Sequence, residues 1–499
     1  MKKLVLPHEM AHMDSRFTQE TGLPGLLLME RAALGVAQAA EALAAHKHCV
    51  AVCGPGNNGG DGLAAARILK TRGWTVEVWM ASGPDHLGAD AQTQLNAWQS
   101  LGGKVRWIAQ EGMPPAPAAG IILDALLGTG ANRPPEGTLA LLIEWMNRTG
   151  LPIIAVDIPS GVDGNTGHVL GMAVNADITI TFAFPKVGHL LFPGRDYVGT
   201  LEVWDIGLPG TFAGLVDRYM LEECDPAQCL AKRPANCHKG TFGHVGILAG
   251  SRGMTGAGRL AALAALRTGA GLVTWGYPAS EPIQPPAEAM TWPLTAHKGR
   301  ISGQDAELQE FLHGKTVLAI GPGLGRGPET DDMARRLALA ADMPVVWDAD
   351  ALYALGNWRG WEEGEGVLTP HPGEMARLTG QRIETLLENP VDWAQSLARE
   401  TRRVVVLKGA TTVVASPQGR VGLNTIGNPG MATGGSGDVL TGIIAALIAQ
   451  GLGCWEAAAI GVTLHGMAGN TALQQKGAMG MVSQDITDAL PPTLHKLGL

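Results

Sequence analysis

The chain has 499 residues, of which 45% are hydrophobic and 17% charged, a composition that excludes a disordered or fibrous protein and predicts a globular enzyme of two or three domains. A formal net charge of −9 gives no support for a nucleic-acid partner, and no apolar run approaches the length of a membrane span. The six cysteines are scattered, and Pro7, His8 and Glu9 interrupt the N-terminus before a signal-peptide core, so we expect a cytoplasmic protein.

A helical region, a strand and a glycine-rich turn open the N-terminal half. Residues 10–46 have apolar side chains at helical spacing, and a buried strand is predicted at 50–53. The turn at 54–62 reads GPGNNGGDG and precedes a predicted helix at 63–72, an arrangement that cradles phosphate in nucleotide folds. The spacing is not that of a dinucleotide site, because Asp61 lies inside the turn. A tight Gly/Asn turn without a ligand remains the alternative.

Two later strands each end at an acidic residue. The strand predicted at 121–123 ends at Asp124, and the strand at 153–156 ends at Asp157, with Ser160 just beyond. Strands that alternate with helices form a parallel sheet whose carboxyl edge binds ligands, so we expect these side chains to meet the glycine-rich turn there. Such oxygen ligands suit a hard cation. Either acid alone could instead cap a strand end.

The alternation of strands and helices weakens after residue 206. Further strands are predicted at 75–80, 174–183 and 200–206. Lys186, in a loop, is expected at the surface, with a nearby phosphate as the alternative. Prolines and glycines then appear without a regular apolar pattern, which indicates a domain boundary. We divide the chain into an N-terminal domain (1–215), a linker (216–235) and a C-terminal domain (236–499).

The boundary region also carries a group of thiols. Cys224, Cys229, Cys237 and His238 could suggest a zinc site, but their gaps do not match the short CxxC spacing of structural zinc sites. We favour a linker that contains thiols, with zinc as the alternative.

The second half repeats the strand and turn pattern. Strands are predicted at 243–249, 317–320, 345–347, 367–368 and 404–407, with an alanine-rich helix at 258–268. Lys408 ends the last strand and is predicted to bind phosphate, although a lone lysine in a turn is often only solvated. His371 lies between two prolines and is predicted to contact substrate rather than metal, because no second histidine stands at ligand spacing.

The stretch at 428–442 reads NPGMATGGSGDVLTG and becomes a helix near Asp438. Its glycines let backbone N–H groups close around an anion, and the helix N-terminus adds positive charge. A carboxylate beside a bound phosphate is repelled by it, so we interpret Asp438 as a group that moves a proton on a substrate hydroxyl. An ordinary helix N-terminus with a first-turn acid is the alternative.

These motifs resemble known families at two levels. The GGSGD segment and the KG turn resemble the ribokinase-like superfamily of small-molecule kinases. Taken together, the motifs resemble the family of bifunctional NAD(P)H-hydrate repair enzymes over essentially the whole chain, with Ser436 where threonine is common. The motifs are GPGNNGGDG (54–62), LDALLGTG (123–130), VDIPSGVDG (156–164), GMTGA (253–257), GPGLG (321–325), TPHPGEM (369–375), LKGATT (407–412) and the stretch at 428–442.

The resemblance implies an α/β protein with an N-terminal Rossmann-like three-layer αβα domain and a C-terminal ribokinase-like αβα domain. The first domain is then an isomerase that interconverts the R and S forms of hydrated NADH or NADPH. The second is a lyase that dehydrates the S form while ADP becomes AMP and phosphate. The implied ligands are NADH-hydrate, NADPH-hydrate, ADP with Mg²⁺, and K⁺ at the epimerase site. We also expect a homo-oligomer, with no nucleic-acid or membrane partner.

The resemblance also assigns residues, motif by motif. The implied catalytic residues are Asp438 and Asp157. The implied hydrate-binding residues of the epimerase are Asn57, Asn58, Gly59, Gly60, Asp61, Gly128, Thr129, Gly130, Ala131, Asn132, Arg133, Pro134 and Asp157, and the K⁺ ligands are Asn58, Asp124 and Ser160. In the dehydratase, the hydrate contacts are Ala257, Gly323, His371 and Asp438, and the ADP contacts are Lys408, Gly409, Ala410, Thr411, Thr412 and Gly437.

Two other functions stay open at this point. The chain could be an ATP-dependent kinase for a vitamin-precursor alcohol, with a regulatory N-terminal half. Alternatively, the N-terminal domain could be a non-catalytic nucleotide sensor, although its complete glycine-rich turn and both strand-end acids argue against that.

Overall fold

The computed structural model describes residues 1–356 and 364–499, and the chain divides into two compact units. One unit is Lys3–Val216, and the other is Asp217–Leu499 together with Met1–Lys2. Within the described ranges, no helix is both long enough and apolar enough to cross a bilayer.

Strands and helices alternate through the first 216 residues. The strands are β1 (Lys2–Lys3), β2 (His48–Cys53), β3 (Thr75–Met80), β4 (Val105–Trp107), β5 (Ile121–Ala125), β6 (Ile153–Val156), β7 (Ile178–Phe182) and β8 (Thr200–Trp204). The helices are α1 (Pro7–Thr21), α2 (Gly25–Leu43), α3 (Asn57–Thr71), α4 (Ala89–Ser100), α5 (Ile108–Glu111), α6 (Thr138–Arg148) and α7 (Arg195–Val198).

The N-terminal unit is built on a parallel sheet with strand order β4-β3-β2-β5-β6-β7-β8. Cys49 and Ala51 of β2 pack with side chains of α1, α2 and α3, whereas Val50 and Val52 pack with α6. Helices therefore cover both faces of the sheet, which is the predicted three-layer αβα arrangement. The strand order reverses between β2 and β5, and the loops after these strands open a crevice at that point.

One helix prediction in this unit is confirmed and one needs correction. Residues 10–46 are mostly helical, as predicted, and they form two helices because Gly22 ends α1 in the left-handed conformation (φ 70°) and Pro24 precedes α2. The helix predicted at 63–72 begins earlier, at Asn57, so the second half of the glycine-rich turn is helical.

The C-terminal unit repeats the alternation at larger scale. The strands are β9 (Arg218–Met220), β10 (His244–Leu248), β11 (Leu272–Pro278), β12 (Met290–Leu294), β13 (Ala296–His297), β14 (Arg300–Ile301), β15 (Val317–Ile320), β16 (Val345–Trp347), β17 (Gly366–Leu368), β18 (Val404–Leu407), β19 (Thr412–Ala415) and β20 (Val421–Asn424). The helices are α8 (Asp225–Cys229), α9 (Thr255–Thr268), α10 (Asp305–Leu312), α11 (Pro328–Ala340), α12 (Ala349–Leu355), α13 (Pro372–Thr379), α14 (Ile383–Glu388), α15 (Pro390–Thr401), α16 (Ser436–Ala449), α17 (Cys454–Lys476) and α18 (Ser483–Lys496).

The main sheet of this unit has the order β1-β9-β20-β19-β18-β17-β16-β15-β10-β11-β12. Strands β18 to β12 in that order are parallel, and β19 pairs antiparallel with both β18 and β20. The order again reverses, here between β10 and β15. Strand β9 and helix α8 lie within residues 216–235, the segment predicted as a linker, and belong to this unit.

The core of the C-terminal unit depends on close packing of α9 against α16. A Cβ atom on Gly442 of α16 would overlap the carbonyl oxygen of Ala261 in α9. Side chains of both helices join the same buried cluster as alternate residues of β10, including Val245 and Ile247. Gly246 faces the opposite side of the sheet, where Phe311 of α10 lies. Helices thus cover both faces here as well, and the predicted α/β class is confirmed for both units.

Several strand predictions are confirmed to the residue. They are the strands at 75–80, 153–156, 317–320, 345–347 and 404–407. By contrast, the strand predicted at 174–183 is shorter and spans only Ile178–Phe182.

Candidate active sites

The N-terminal unit contains a cavity of about 860 Å³ at the crevice between β2 and β5. Its walls come from α1, α2, the start of α3 and the loops that follow β5, β6 and β7. Of the residues predicted to hold the hydrate, those lining the cavity are Asn57, Asn58, Asp61, Gly128, Thr129, Gly130, Ala131, Asn132, Arg133, Pro134 and Asp157. The cavity is large enough for a nucleotide-sized ligand.

Gly59 and Gly60 were predicted to bind the hydrate but do not line the cavity. A Cβ on Gly59 would overlap the carbonyl oxygen of Gly54, and one on Gly60 would lie 2.7 Å from Cε of Met29. These glycines let the first turn of α3 pack directly on the preceding loop and on α2. Their visible contribution is therefore to position Asn57, Asn58 and Asp61.

Lys186 corrects a prediction, because it lies in the interior rather than at the surface. Only 1% of Lys186 is exposed. Its Nζ donates to Oδ1 of Asp157 at 2.6 Å and to Oγ1 of Thr181 at 2.8 Å, while Thr181 donates to the same Oδ1 at 2.9 Å. Burial raises the pKa of Asp157, but the Lys186 ammonium and these donors outweigh it, so the pKa is lowered overall.

His189 supports this ion pair from behind. Its Nδ1 accepts from the backbone N–H of Lys186 at 3.0 Å, so the other ring nitrogen carries the proton and donates to the backbone oxygen of Asp157 at 2.9 Å. Burial and the nearby Lys186 lower the pKa of His189 to about 3, which keeps the ring neutral. Asp157 also adopts φ 65°, a conformation that non-glycine residues rarely occupy. The acid is thus held by its side chain and its backbone.

Asp14 and Asp61 line the same cavity. Burial raises the pKa of Asp14 to about 6, with Lys186 opposing and Asp157 adding to the rise. Burial also raises the pKa of Asp61 well above its usual value, helped by Asp157 and Asp14. Sequence reasoning missed Asp14, since one acid on an amphipathic helix carries no signal of its own.

The predicted K⁺ ligands include a buried carboxylate next to an unsatisfied amide. Asp124 is fully buried and accepts from Ser160 twice, from Oγ at 2.6 Å and from N at 2.8 Å. Burial raises the pKa of Asp124 to about 6 against these hydrogen bonds. Asn58 is buried too, and neither polar atom of its amide has a hydrogen-bond partner among the described residues. Carboxylate, hydroxyl and amide oxygens suit a hard cation, so these residues fit K⁺.

In the C-terminal unit, Asp348 at the end of β16 organises the site. Its Oδ1 accepts from Lys408 Nζ and Thr369 Oγ1, both at 2.7 Å, and its Oδ2 accepts from Thr441 Oγ1 at 3.0 Å. Burial raises the pKa of Asp348, but Lys408 and the two threonines more than offset this, so the pKa is lowered. None of these three residues was predicted as a site residue, although Thr369 and Thr441 lie in the motifs at 369–375 and 428–442.

Asp438 and Gly437 lie in the first turn of α16, beside this network. A Cβ on Gly437 would lie 3.4 Å from Lys408 Nζ and 3.6 Å from Oδ2 of Asp348, so the turn is in contact with both. Burial raises the pKa of Asp438 to about 7, with Asp348 adding to the rise and Lys408 opposing it. The structure thus brings together Lys408, Gly437 and Asp438, as the sequence predicted.

Ala257 and Gly323 form a second contact in the same unit. Gly323 has φ 57°, and a Cβ on it would lie 2.9 Å from Cβ of Ala257. Ser251 fixes this loop by donating from Oγ to the carbonyl oxygen of Gly323 at 2.8 Å. The two residues lie in the segments after β10 and β15, where the strand order reverses and ligands of α/β folds bind.

His371 and the segment 408–412 lie at the ends of neighbouring strands. The Nδ1 of His371 accepts from the backbone N–H groups of Gly373 at 3.0 Å and Glu374 at 3.3 Å, which caps α13 and leaves the ring partly exposed. Glu374 lies 3.9 Å from Lys408 Nζ and so connects the cap to the Asp348 network. Gly409 and Ala410 are exposed at the turn that Thr412 closes by donating to the Gly409 carbonyl at 3.1 Å.

The described residues of the boundary region do not come together as a complete set of zinc ligands. The grouping with ligand atoms within 4.8 Å of one another is Glu222, Cys224 and Asp225. It does not include Cys229, Cys237 or His238. The Asp225 carboxylate also already accepts from the backbone N–H of Glu222 at 2.7 Å.

Comparisons with known proteins cover both units. Residues 25–188 match the family model for the YjeF-related protein N-terminus, and residues 245–492 match that for NAD(P)H-hydrate dehydratase. The chain is 41% identical to the bifunctional NAD(P)H-hydrate repair enzyme Nnr of Moorella thermoacetica, over 99% of this chain and 97% of the relative. It is 39% identical to the enzyme of the same name from Thermofilum pendens, with the same coverage.

A solved structure supports the fold of the C-terminal unit. A ribokinase-like superfamily protein from Enterococcus faecalis V583 is 27% identical and superposes with a TM-score of 0.50, covering 56% of this chain and 96% of that protein. This agrees with the ribokinase-like fold expected from the GGSGD segment. Because near-complete relatives at about 40% identity share both matched regions, the chain belongs to the family of bifunctional NAD(P)H-hydrate repair enzymes.

Proposed function

We propose that this protein repairs hydrated NADH and NADPH. The N-terminal unit interconverts the R and S forms of the hydrate, and the C-terminal unit dehydrates the S form while ADP becomes AMP and phosphate. The observation that carries the proposal is Asp438, a half-buried acid whose pKa of about 7 suits a general base, placed beside Lys408 at the N-terminus of α16.

The dehydration needs a better leaving group than hydroxide. Phosphorylation of the hydroxyl by ADP supplies one, and the ring nitrogen can then push phosphate out. In this step Asp438 accepts the hydroxyl proton as the oxygen attacks the phosphoryl group. Lys408 and the backbone N–H groups of the first turn of α16 stabilise the charge that builds on the transferring phosphoryl oxygens.

Asp348 keeps Lys408 in place for this role. The carboxylate is held by three donors, so it can fix the ammonium while remaining ionised itself. A magnesium ion bound with ADP would neutralise phosphate charge. Both oxygens of Asp348 already accept hydrogen bonds. The main ligands of the magnesium ion would therefore be the nucleotide phosphates.

In the epimerase site, Asp157 serves as a fixed anion that positions the hydrated ring. Lys186 and Thr181 hold its carboxylate, and the cavity beside it accepts the substrate. Asn58, Asp124 and Ser160 would hold K⁺, which would supply positive charge for the substrate's phosphates. The protein acts on small molecules, and we propose that it does so as a cytoplasmic homo-oligomer.

The test is to supply mixed R and S NADH-hydrate with ADP or ATP in turn, in K⁺ and Mg²⁺, and to follow NADH, AMP and phosphate. Conversion of both epimers, with one AMP and one phosphate for each NADH in the ADP reaction, is the expected result. A stable phosphorylated product without NADH would contradict the proposal and indicate a kinase.

A further inference from the structure

Four charged side chains meet on one wall of the N-terminal cavity. Asp14 comes from α1, Asp61 from α3, Asp157 from the loop after β6 and Lys186 from the loop after β7. Asp14 and Asp61 interact electrostatically with each other and with the other two. The wall therefore carries three carboxyl groups and a single ammonium group.

The ammonium is already committed to one of the three acids. Lys186 lies 2.6 Å from Asp157, and Thr181 completes that carboxylate's partners. Neither Asp14 nor Asp61 forms an ion pair with a described residue, and Oδ1 of Asp14 is buried without a hydrogen-bond partner. Ionising both acids beside Asp157 would place three negative charges against one positive charge, so a proton is retained among them.

The environments of the two free acids also separate their proton affinities. Burial raises the pKa of Asp61 well above its usual value, and both Asp157 and Asp14 add to the rise. Burial raises the pKa of Asp14 to about 6, and of these acids only Asp157 adds to that rise. We therefore place the retained proton on Asp61, which makes Asp61 the donor and Asp14 the acceptor. Pairs of groups with separated proton affinities are a common basis for acid and base roles.

We propose that Asp14 and Asp61 are the proton-transfer residues of the epimerase site, with Asp14 as base and Asp61 as acid, while the Lys186–Asp157 pair positions the substrate. This inference rests on the proposed function of the N-terminal unit. The four side chains line a cavity of sufficient size, and of the three carboxyls only that of Asp157 forms an ion pair with Lys186.

The exchange then proceeds without an outside reactant. Asp61 gives its proton to the substrate hydroxyl, the C–O bond breaks to release water, and the ring nitrogen's lone pair forms a C=N bond. A water adds to the opposite face of the planar carbon, the C=N π bond breaks as its electron pair returns to the ring nitrogen, and Asp14 takes the proton that this water loses. The proton returns from Asp14 to Asp61, so both acids are restored and no electrons are gained or lost.

Other charged groups near Asp14 are limited in what they can contribute. Lys186 and Asp157 face Asp14 as an ion pair, and Asp61 faces it as the proposed acid. Asp90 and Arg133 also line the cavity. His189, behind Asp157, stays neutral above pH 3 to 4 because its pKa is lowered to about 3 by burial and Lys186. Burial raises the pKa of Asp124 to about 6 as well, so an activity change near pH 6 is assigned to Asp14 only if it disappears in Asp14→Asn.

The experiment compares the full chain with Asp14→Asn and Asp61→Asn, and with Asp85→Asn, an exposed acid outside the cavity, as control. The rate of R-to-S exchange is measured between pH 5 and 9, and dehydration of pure S hydrate with ADP is measured in parallel. We expect exchange kcat to fall about 100-fold or more in both variants, with KM changed less than threefold, and to stay unchanged in the control. The decline of wild-type exchange below about pH 6 should disappear in Asp14→Asn.

Exchange within threefold of wild type in either variant would remove that residue from the mechanism. If Asp14→Asn lowers the unfolding temperature, Asp14→Glu separates a catalytic role from a folding defect, because it keeps the carboxyl group. This variant must recover at least part of the exchange rate. No recovery overturns the role of Asp14. If the wild-type chain itself dehydrates S hydrate but shows no exchange, the proposed epimerase function fails instead.

Discussion

Asp348 and Asp438 have the same side chain and lie next to each other, yet their surroundings move their pKa values in opposite directions. Burial acts on both. Lys408 and two threonines contact Asp348 and lower its pKa, whereas Asp438 lies beside that negative charge and has its pKa raised to about 7. One acid is therefore a permanent anion that holds Lys408, and the other can exchange a proton near neutral pH.

Asp438→Asn should lower the dehydration rate about 100-fold or more, because the amide cannot accept the hydroxyl proton. The measurement is ADP-dependent NADH formation from S hydrate at saturating substrate. R-to-S exchange should be intact, since Asp438 belongs to the other unit. Full dehydratase activity in this variant would remove Asp438 from the mechanism.

The same residue predicts how stability depends on pH. A carboxyl whose folded pKa is raised keeps its proton in the folded chain after the unfolded chain has lost it, so stability falls as pH rises from about 4 to about 7. Asp438→Asn avoids this loss. We expect its C-terminal unit to unfold at the same temperature as wild type at pH 4 and several degrees higher at pH 8, a gain on the order of 2 kcal/mol. Equal unfolding temperatures at pH 8 would contradict the raised pKa.

In the N-terminal unit, Lys186→Met should leave Asp157 as a buried carboxylate without its cation. Removing one partner of a buried pair costs about 3 to 5 kcal/mol, so we expect a large fall in the unfolding temperature of this unit and loss of R-to-S exchange. Lys47→Met, at an exposed lysine of the same unit, is the matched control. Calorimetry and the exchange assay provide the readouts, and a stable, active Lys186→Met chain would exclude a structural ion pair.

Sequence patterns located Asp157, Asp124, Lys408 and Asp438 because each follows a strand or a glycine-rich turn at the sheet edge. They did not place Lys186, since a lysine in a loop is normally solvated and its burial depends on a partner from another strand. Such a long-range pairing leaves no periodic signal in the local sequence. Asp14 was missed because one acid on an amphipathic helix carries no signal of its own.

At the scale of elements, glycines decide how closely helices approach each other and the sheet. Gly442 lets α16 touch α9, where a methyl group would overlap a carbonyl oxygen. That contact places the first turn of α16, with Gly437 and Asp438, beside Lys408. Helix packing and the geometry of the site are thus linked.

Gly442→Ala should destabilise the C-terminal unit by about 1 to 3 kcal/mol, the usual range for overpacking a dense core. Gly256→Ala, in α9 with open space around it, should instead be neutral or stabilise the helix by up to about 1 kcal/mol. Thermal unfolding of the two variants tests this. Equal effects would mean that the α9–α16 contact relaxes freely.

Strand boundaries were predicted well where a short apolar run is bounded by proline, glycine or a polar residue, as in β6 and β15. Helix starts were predicted less well. The glycine-rich turn at 54–62 contains residues that disfavour helix by propensity, yet α3 begins at Asn57 because its glycines pack against Gly54 and Met29. Tertiary contact overrode local preference there.

At the scale of the whole molecule, the two units carry complementary chemistry. One has a nucleotide-sized cavity with several acids, and the other has a lysine, an acid and a helix N-terminus suited to phosphoryl transfer. Elementary arguments from the sequence predicted an anion-binding site and a pocket whose oxygen ligands suit a cation. They did not reach the substrate, which came only from the family resemblance, because the residues that recognise a hydrated nicotinamide ring differ little from those of other nucleotide sites.

The most direct measurement supplies pure R NADH-hydrate and ADP to the full chain and follows NADH and AMP with time. If one chain performs both reactions, NADH forms with AMP in equal amount, at a rate well above the same mixture with Lys186→Met, whose exchange is expected to be lost. If R hydrate yields no more NADH with wild type than with that variant, while S hydrate is still converted, the claim that one chain carries both activities is contradicted.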